Sequence, residues 1–185
     1  MKRTAWLFMA ALALCGQSAG GDDKGTVVTL DGLKSRTPAN WKVQRPSNEM
    51  RAYQFLIPRA EGDKKDAELV IFFFGAGSGG TAADNIKRWK GQFDPPQGKT
   101  IEQVSKLEKF KVGDVDIAYL DISGTYLYKF PPFAPNAKVT PLPGYRSLGV
   151  YFGSKNGPYF IKMTGAAKTV AQNKKGFDDW VKSFK

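Results

Sequence analysis

The chain has 185 residues, with 28 Lys plus Arg against 17 Asp plus Glu, a net charge of +11, and no histidine. Without histidine there can be no Ser-His-Asp triad, no Cys-His dyad and no histidine-ligated zinc or haem. The single cysteine, Cys15, falls in an N-terminal leader. A mature chain without it has no disulfide, no thiolate chemistry and no iron–sulfur cluster, which leaves carboxylate, lysine, tyrosine or hard-metal chemistry.

Lys2 and Arg3 precede an eleven-residue apolar run, Ala5 to Cys15, that ends in small and polar residues. This pattern predicts a signal peptide over residues 1–19, cleaved after Ala19 in Gln17-Ser18-Ala19. A membrane span needs about 20 apolar residues, so the run is too short to be one. A lipid anchor on Cys15 is the competing reading. It is the weaker, because Leu14 stands where a lipobox carries Gly, Ala or Ser. The expected location is therefore periplasmic or secreted, with no transmembrane segment in the mature chain. The leader takes Lys2 and Arg3 and no acids, which leaves +9 on residues 20–185. Residues 20–25 read as a flexible N-terminal segment, and 26–185 as one domain of ordinary size.

Thr26 to Leu30 reads as a strand, Asp31-Gly32 as a type I′ turn and Leu33 to Arg36 as its partner. Trp41 to Val43 is extended. Arg51 to Ile57 alternates, with Tyr53, Phe55 and Ile57 on one side. The charged run Arg59 to Asp66 is an exposed loop. Ala67 to Phe74 places Leu69, Ile71 and Phe73 on one face and Val70, Phe72 and Phe74 on the other, a strand that needs cover above and below. After a glycine-rich turn, Thr81 and Asp84 form a capping pattern for a helix whose stripe is Ile86, Trp89 and Phe93, ended by Asp94-Pro95-Pro96. Phe110 to Val112 turns at Gly113-Asp114, a type II′ signature, into Val115 to Tyr126, again apolar on both faces. Lys129 to Gly144 holds five prolines and reads as a long connection that cannot be sheet interior. Tyr145 to Gly153 and Tyr159 to Thr164 are strands joined by a turn at Asn156-Gly157. The last helix is expected to be capped by Thr169 and Gln172 and to dock through Phe177, Trp180, Val181 and Phe184.

These elements predict an α+β domain, an antiparallel sheet of about seven strands covered by helices on both faces. The N-terminal hairpin leading into Pro38-Ala39-Asn40-Trp41, the mid-chain helix and the closing segment Phe177 to Phe184 (F-D-D-W-V-K-S-F) give the chain a likeness to a known group. In that order of elements it resembles the superfamily of the extrinsic P subunit of photosystem II (PsbP) and the Ran-binding factor Mog, whose small exported bacterial members are mostly of unknown function. The resemblance spans about residues 26–185 and implies the α/β/α sandwich. It brings no catalytic, Ran-binding or manganese-cluster residue onto this sequence.

Gly75 to Gly80 satisfies G-x-G-x-x-G between a strand and a helix, with Asp94 nearly 20 residues on. A flexible connection is the preferred reading over a phosphate cradle. The cap at Thr81 falls after the last glycine, and the next extended segment is not the buried parallel strand that a dinucleotide fold requires. Asp116 and Asp121 differ by five positions and so face opposite sides of a strand, while Asp114 belongs to a turn. The spread of lysines along nearly every element favours general solubility over a polyanion site.

The candidate binding residues are Tyr126, Tyr128, Phe133, Tyr145 and Arg146, aromatic and Arg side chains around a proline-ordered loop. The bland alternative is that these aromatics fold back over a sheet edge. The expected function is that of an exported, non-catalytic binding or accessory domain of the bacterial cell envelope, which engages a protein or an envelope component. No cofactor, no metal and no specific nucleic acid is expected. A carboxylate- or hard-metal-dependent enzyme and a weak polyanion binder are the alternatives.

Overall fold

A computed structural model describes residues 24–131, 134 and 136–185. The expected leader with Cys15, and the candidate residue Phe133, lie outside the described residues.

The chain begins with a hairpin of β1 (Val27–Leu30) and β2 (Leu33–Arg36). Asp31 and Gly32 both take positive φ, 49° and 84°, as a type I′ turn demands. This hairpin forms a sheet of its own. The main sheet has eight strands among the described residues, and every pairing in it is antiparallel. It runs from β3 (Lys42–Gln44) through β4 (Arg51–Ile57), β5 (Ala67–Phe73), β10 (Gly157–Ala166), β9 (Lys138–Ser154) and β8 (Val115–Phe130) to β6 (Phe93–Asp94). β7 (Ser105–Val112) also pairs with β8. Two helices pack on it among the described residues, α1 (Ala82–Lys90) between β5 and β6, and α2 (Ala167–Lys182) after β10.

Alternation along β5 and β8 sends their apolar residues to two separate cores, one on each face. On one face, Leu69, Ile71, Ile117 and Tyr119 join the hairpin, Trp41 and the α2 residues Phe177, Trp180 and Val181. On the other, Leu120, Ile122 and Phe160 join Ile86 and Trp89 of α1, with Phe93. The expected α+β sandwich with helical cover on both faces is thus the observed one. Its two covers are unequal. α1 has nine residues and packs on β8 and β9, whereas over β5 only Val70 is buried and Phe72 is half-covered. The approach of α1 depends on Gly149, since a Cβ there would lie 2.7 Å from the Trp89 ring.

Several local expectations need correction. Phe93 lies beyond the helix in β6, although it still packs in the core that holds Trp89. The Asn156-Gly157 turn sits one residue earlier, because Gly157 pairs with Ser154 and leaves Lys155 and Asn156 as the loop. The proline-rich stretch is not all connection: Lys138 to Leu142 pairs with β8, with Leu127 opposite Pro141, and Pro143 and Gly144 sit at a register shift inside the same strand. β10 ends its pairing at Tyr145, so beyond that residue β9 has a neighbour on one side only. A proline there costs no second ladder.

Thr169 and Gln172 do not cap α2. The helix begins at Ala167 with Ala166 in the cap position and no side-chain cap. Asp63, from the loop between β4 and β5, supplies the acceptor instead, taking the Thr169 backbone N–H at 3.0 Å and its hydroxyl at 2.5 Å. The Thr169 oxygen accepts in turn from the Ala60 N–H at 3.0 Å. A carboxylate at a helix N-terminus satisfies an orphan donor and the helix dipole together.

Two substitutions test this packing by urea denaturation. Asp63→Ala is expected to lose about 1 kcal/mol, the usual value of an N-terminal acceptor. Gly149→Ala is expected to lose about 1 to 3 kcal/mol by forcing Trp89 out of place. Unchanged midpoints for both would contradict these contacts.

Candidate functional site

Because α1 stops short, the sheet face beside it carries polar side chains on β4, β5 and β10. Lys162 stands on β10 two residues past buried Phe160, opposite Val70 of β5 and Gly149 of β9. Glu68 on β5 shares this face with Val70 and is opposite Thr164. Its carboxylate accepts from Arg51 Nη1 at 2.7 Å and from Gln54 Nε2 at 2.9 Å, both on β4. The Arg51 guanidinium lies 5.6 Å from the Phe72 ring centroid.

Across from these, Gln92 follows α1 and accepts a hydrogen bond from Lys162 Nζ. The Lys162 ammonium also lies 5.0 Å from the Tyr126 ring centroid. Arg88, on the last turn of α1, donates to Asn85 Oδ1. Burial pushes the Lys162 ammonium down to about 7, the nearby Arg88 charge pushes the same way, and Glu68 opposes them. Burial also lowers Arg88 and raises the Tyr126 phenol. Lys162 is only partly exposed, yet no carboxylate among the described residues forms an ion pair with it. Its acceptor is a neutral amide.

The candidate residues named from sequence divide among three places. Tyr126 and Tyr145 come together, their rings stacked 6.2 Å apart at 14°, with Phe93 5.2 Å from Tyr126. Tyr128 and Phe130 follow Tyr126 at two-residue steps and so extend the same face outward along the β8–β9 arm. Their exposure, 43% and 61%, marks where cover ends. Arg146 belongs to the other face. Its guanidinium grips Asp121 through Nε at 2.7 Å and Nη2 at 2.5 Å. Near it the Tyr119 hydroxyl donates to Asp178 of α2 at 2.7 Å, and Lys174 donates to the same carboxylate at 2.5 Å. The Tyr119–Asp178 bond clasps α2 to β8. Burial raises the Tyr119 phenol far above its ordinary value, with the Asp178 bond adding to the shift.

Asp116 pairs with Lys111 at 2.9 Å on the face opposite Asp121, as the spacing predicts. The glycine-rich segment is a turn, with positive φ at Gly75, Gly77, Gly79 and Gly80. Thr81 and Asp84 form the predicted capping box at the start of α1, and Asn85 Nδ2 donates to the Gly79 and Thr81 carbonyls. The box engages the Thr81 and Asp84 backbone N–H groups, and the antiparallel sheet lacks the βαβ unit of a dinucleotide fold.

Sequence reasoning missed Lys162 and its surroundings. One signal was available: a lysine at the inward step of Phe160-x-Lys162-x-Thr164 interrupts an otherwise apolar central strand.

No family model and no curated protein matches the chain. Among solved structures it is similar to PA94, a protein of unknown function from Pseudomonas aeruginosa, at 13% identity and a TM-score of 0.45, over 85% of this chain and 94% of that one. It is also similar to cyanobacterial PsbP (CyanoP) from Synechocystis sp. PCC 6803, at 14% identity and a TM-score of 0.46, over 94% and 98% of the two chains. Neither likeness carries an argument about what the chain binds.

Proposed function

We propose that the chain is an exported, non-catalytic binding or accessory domain of the bacterial cell envelope, a member of the superfamily of the photosystem II P subunit and Mog, and that it engages a protein partner through the β8–β9 arm. One observation carries this reading. An aromatic row starts at half-buried Tyr126, packed against the core beside α1, and continues onto a two-stranded arm where Tyr128 and Phe130 are exposed.

The arm has the means to hold that row in place. Tyr126 is pinned between Phe93 and Tyr145, and the backbone N–H of Leu127 donates to the Gln92 carbonyl at 2.8 Å. Aromatic side chains presented by a pre-ordered backbone lose little entropy on binding, which is why such residues dominate contact energies. At the root of the arm, on the α2 side, a groove of about 720 Å³ is lined by Pro96, Lys99, Lys106, Asp121, Pro143 and Ala167. Exposed Val139 lies on the arm's second strand. No helix among the described residues is long and apolar enough to cross a membrane.

The test is a cross-linking pull-down from native cell envelope with Tyr128→Ser/Phe130→Ser beside the unaltered chain. The exposed double variant is expected to keep its stability within about 0.5 kcal/mol while losing the captured partner. Full retention of every captured partner by the folded variant would overturn the assignment of the arm.

A further inference from the structure

Lys162 has no carboxylate partner for its charge among the described residues. Withdrawing an ammonium from water is costly unless a carboxylate or several good acceptors replace the lost hydration. Here the acceptor is the Gln92 amide, and the Tyr126 ring adds a cation–π attraction. The groups that face Lys162 make this worse. Arg88, from α1, brings a second cation close enough to disfavour the charge on Lys162. Glu68, from β5, is the one acidic side chain among the described residues near enough to favour that charge, and Arg51 and Gln54 from β4 already hold it through one oxygen. Arg88 is an exposed residue, and its bond goes to the neutral Asn85 amide. Among these ionisable groups, three cations thus share one carboxylate.

We propose that Lys162 and Arg88, beside Gln92, form a binding site for a small oxyanion, a carboxylate or phosphate group. An oxyanion seated there accepts from the Lys162 ammonium and from the forked guanidinium of Arg88, two charge-assisted bonds that the free protein lacks. Lys162 as a residue keeps part of its surface open at the edge of the α1 cover. Its lowered proton affinity agrees with an ammonium held without a counter-ion. A bound anion restores that affinity toward the ordinary lysine range. Tyr126 and Gln92 border both this site and the root of the arm, but the anion contacts fall to Lys162 and Arg88 and the arm's contacts to Tyr128 and Phe130, so either reading can fail without the other.

The experiment uses the full mature chain with ¹³C-labelled lysine, titrated at constant chloride-balanced ionic strength with inorganic phosphate and, separately, with succinate. The Lys162 side-chain resonance is expected to shift saturably, with a dissociation constant on the order of 1 mM. Lys162→Met and Arg88→Gln are each expected to weaken this binding about tenfold or more, read by the rise in Tm that the anion produces in the unaltered chain. Saturation by either anion supports the site, and the tighter of the two identifies its chemistry. Without anion, Lys162→Met is expected to be at least as stable as the unaltered chain near pH 6, about a unit below the lysine's value. That advantage shrinks as pH rises through about 7 toward the ordinary lysine range, because the folded chain sheds its awkward proton before the unfolded chain does. A Lys162 resonance indifferent to both anions at about ten times that concentration, equal binding by both variants, or a Lys162→Met chain less stable near pH 6 would each overturn the proposal.

Discussion

The interlocking of Trp180 with Trp41 and Phe184 sets the plan of this molecule. Trp180 of α2 meets Trp41 edge-on at 5.5 Å and Phe184 at 5.3 Å, with Phe177 5.9 Å away and Phe184 wedged 5.4 Å from Phe152 of the sheet. Aromatic pairs in such tilted geometry contribute about 0.5 to 1.5 kcal/mol each beyond the area they bury. The two ends of the domain close over them. Ser35 Oγ donates to the Trp180 carbonyl at 2.9 Å, and Lys34 and Lys185 exchange backbone hydrogen bonds at 2.8 and 3.2 Å. The long helix and the N-terminal hairpin are both committed to one face of the sheet.

That commitment leaves the two faces unequally covered. The second face has a helix of nine residues, enough to seal β8 and β9 through Ile86 and Trp89 but not enough to reach across β5 to β4. Polar residues occupy the uncovered ground, where alternation on β4, β5 and β10 turns Gln54, Glu68 and Lys162 to the same side. The same face runs out along β8 past the point where β10 stops pairing, so its aromatic row leaves the core and enters water. The Lys162 ammonium, unpaired among the described residues, and the aromatic arm are two consequences of one shortage of cover.

Much of the fold was legible because its signals are local. The Asp31-Gly32 turn, the Thr81 capping box and the double-sided apolar strands each rest on residues within a few positions of one another. The larger misreadings involve distant partners. The acceptor for the first turn of α2 is Asp63, 106 residues before Thr169, and no window around the helix contains it. Prolines 141 and 143 look incompatible with a strand until β10 is known to end early on that side. Arg146 looked available for recognition, yet Asp121, 25 residues away on the neighbouring strand, holds it. Of the candidate residues, Tyr126 and Tyr145 are visible in the sequence as aromatics flanking the proline-rich stretch, and the structure stacks their rings. Lys162 was not, since its meaning comes from Gln92 70 residues earlier and from Arg88 on the helix above it.

Hydroxyl-radical footprinting with mass-spectrometric readout tests the unequal cover most directly, because it reports aromatic exposure face by face. Unequal cover predicts strong oxidation of Tyr128 and Phe130, intermediate oxidation of Phe72 and Tyr126, and protection of Phe152, Phe177 and Trp180. Oxidation of Trp180 at the level of Tyr128, or protection of Phe72 equal to that of Phe152, would contradict it.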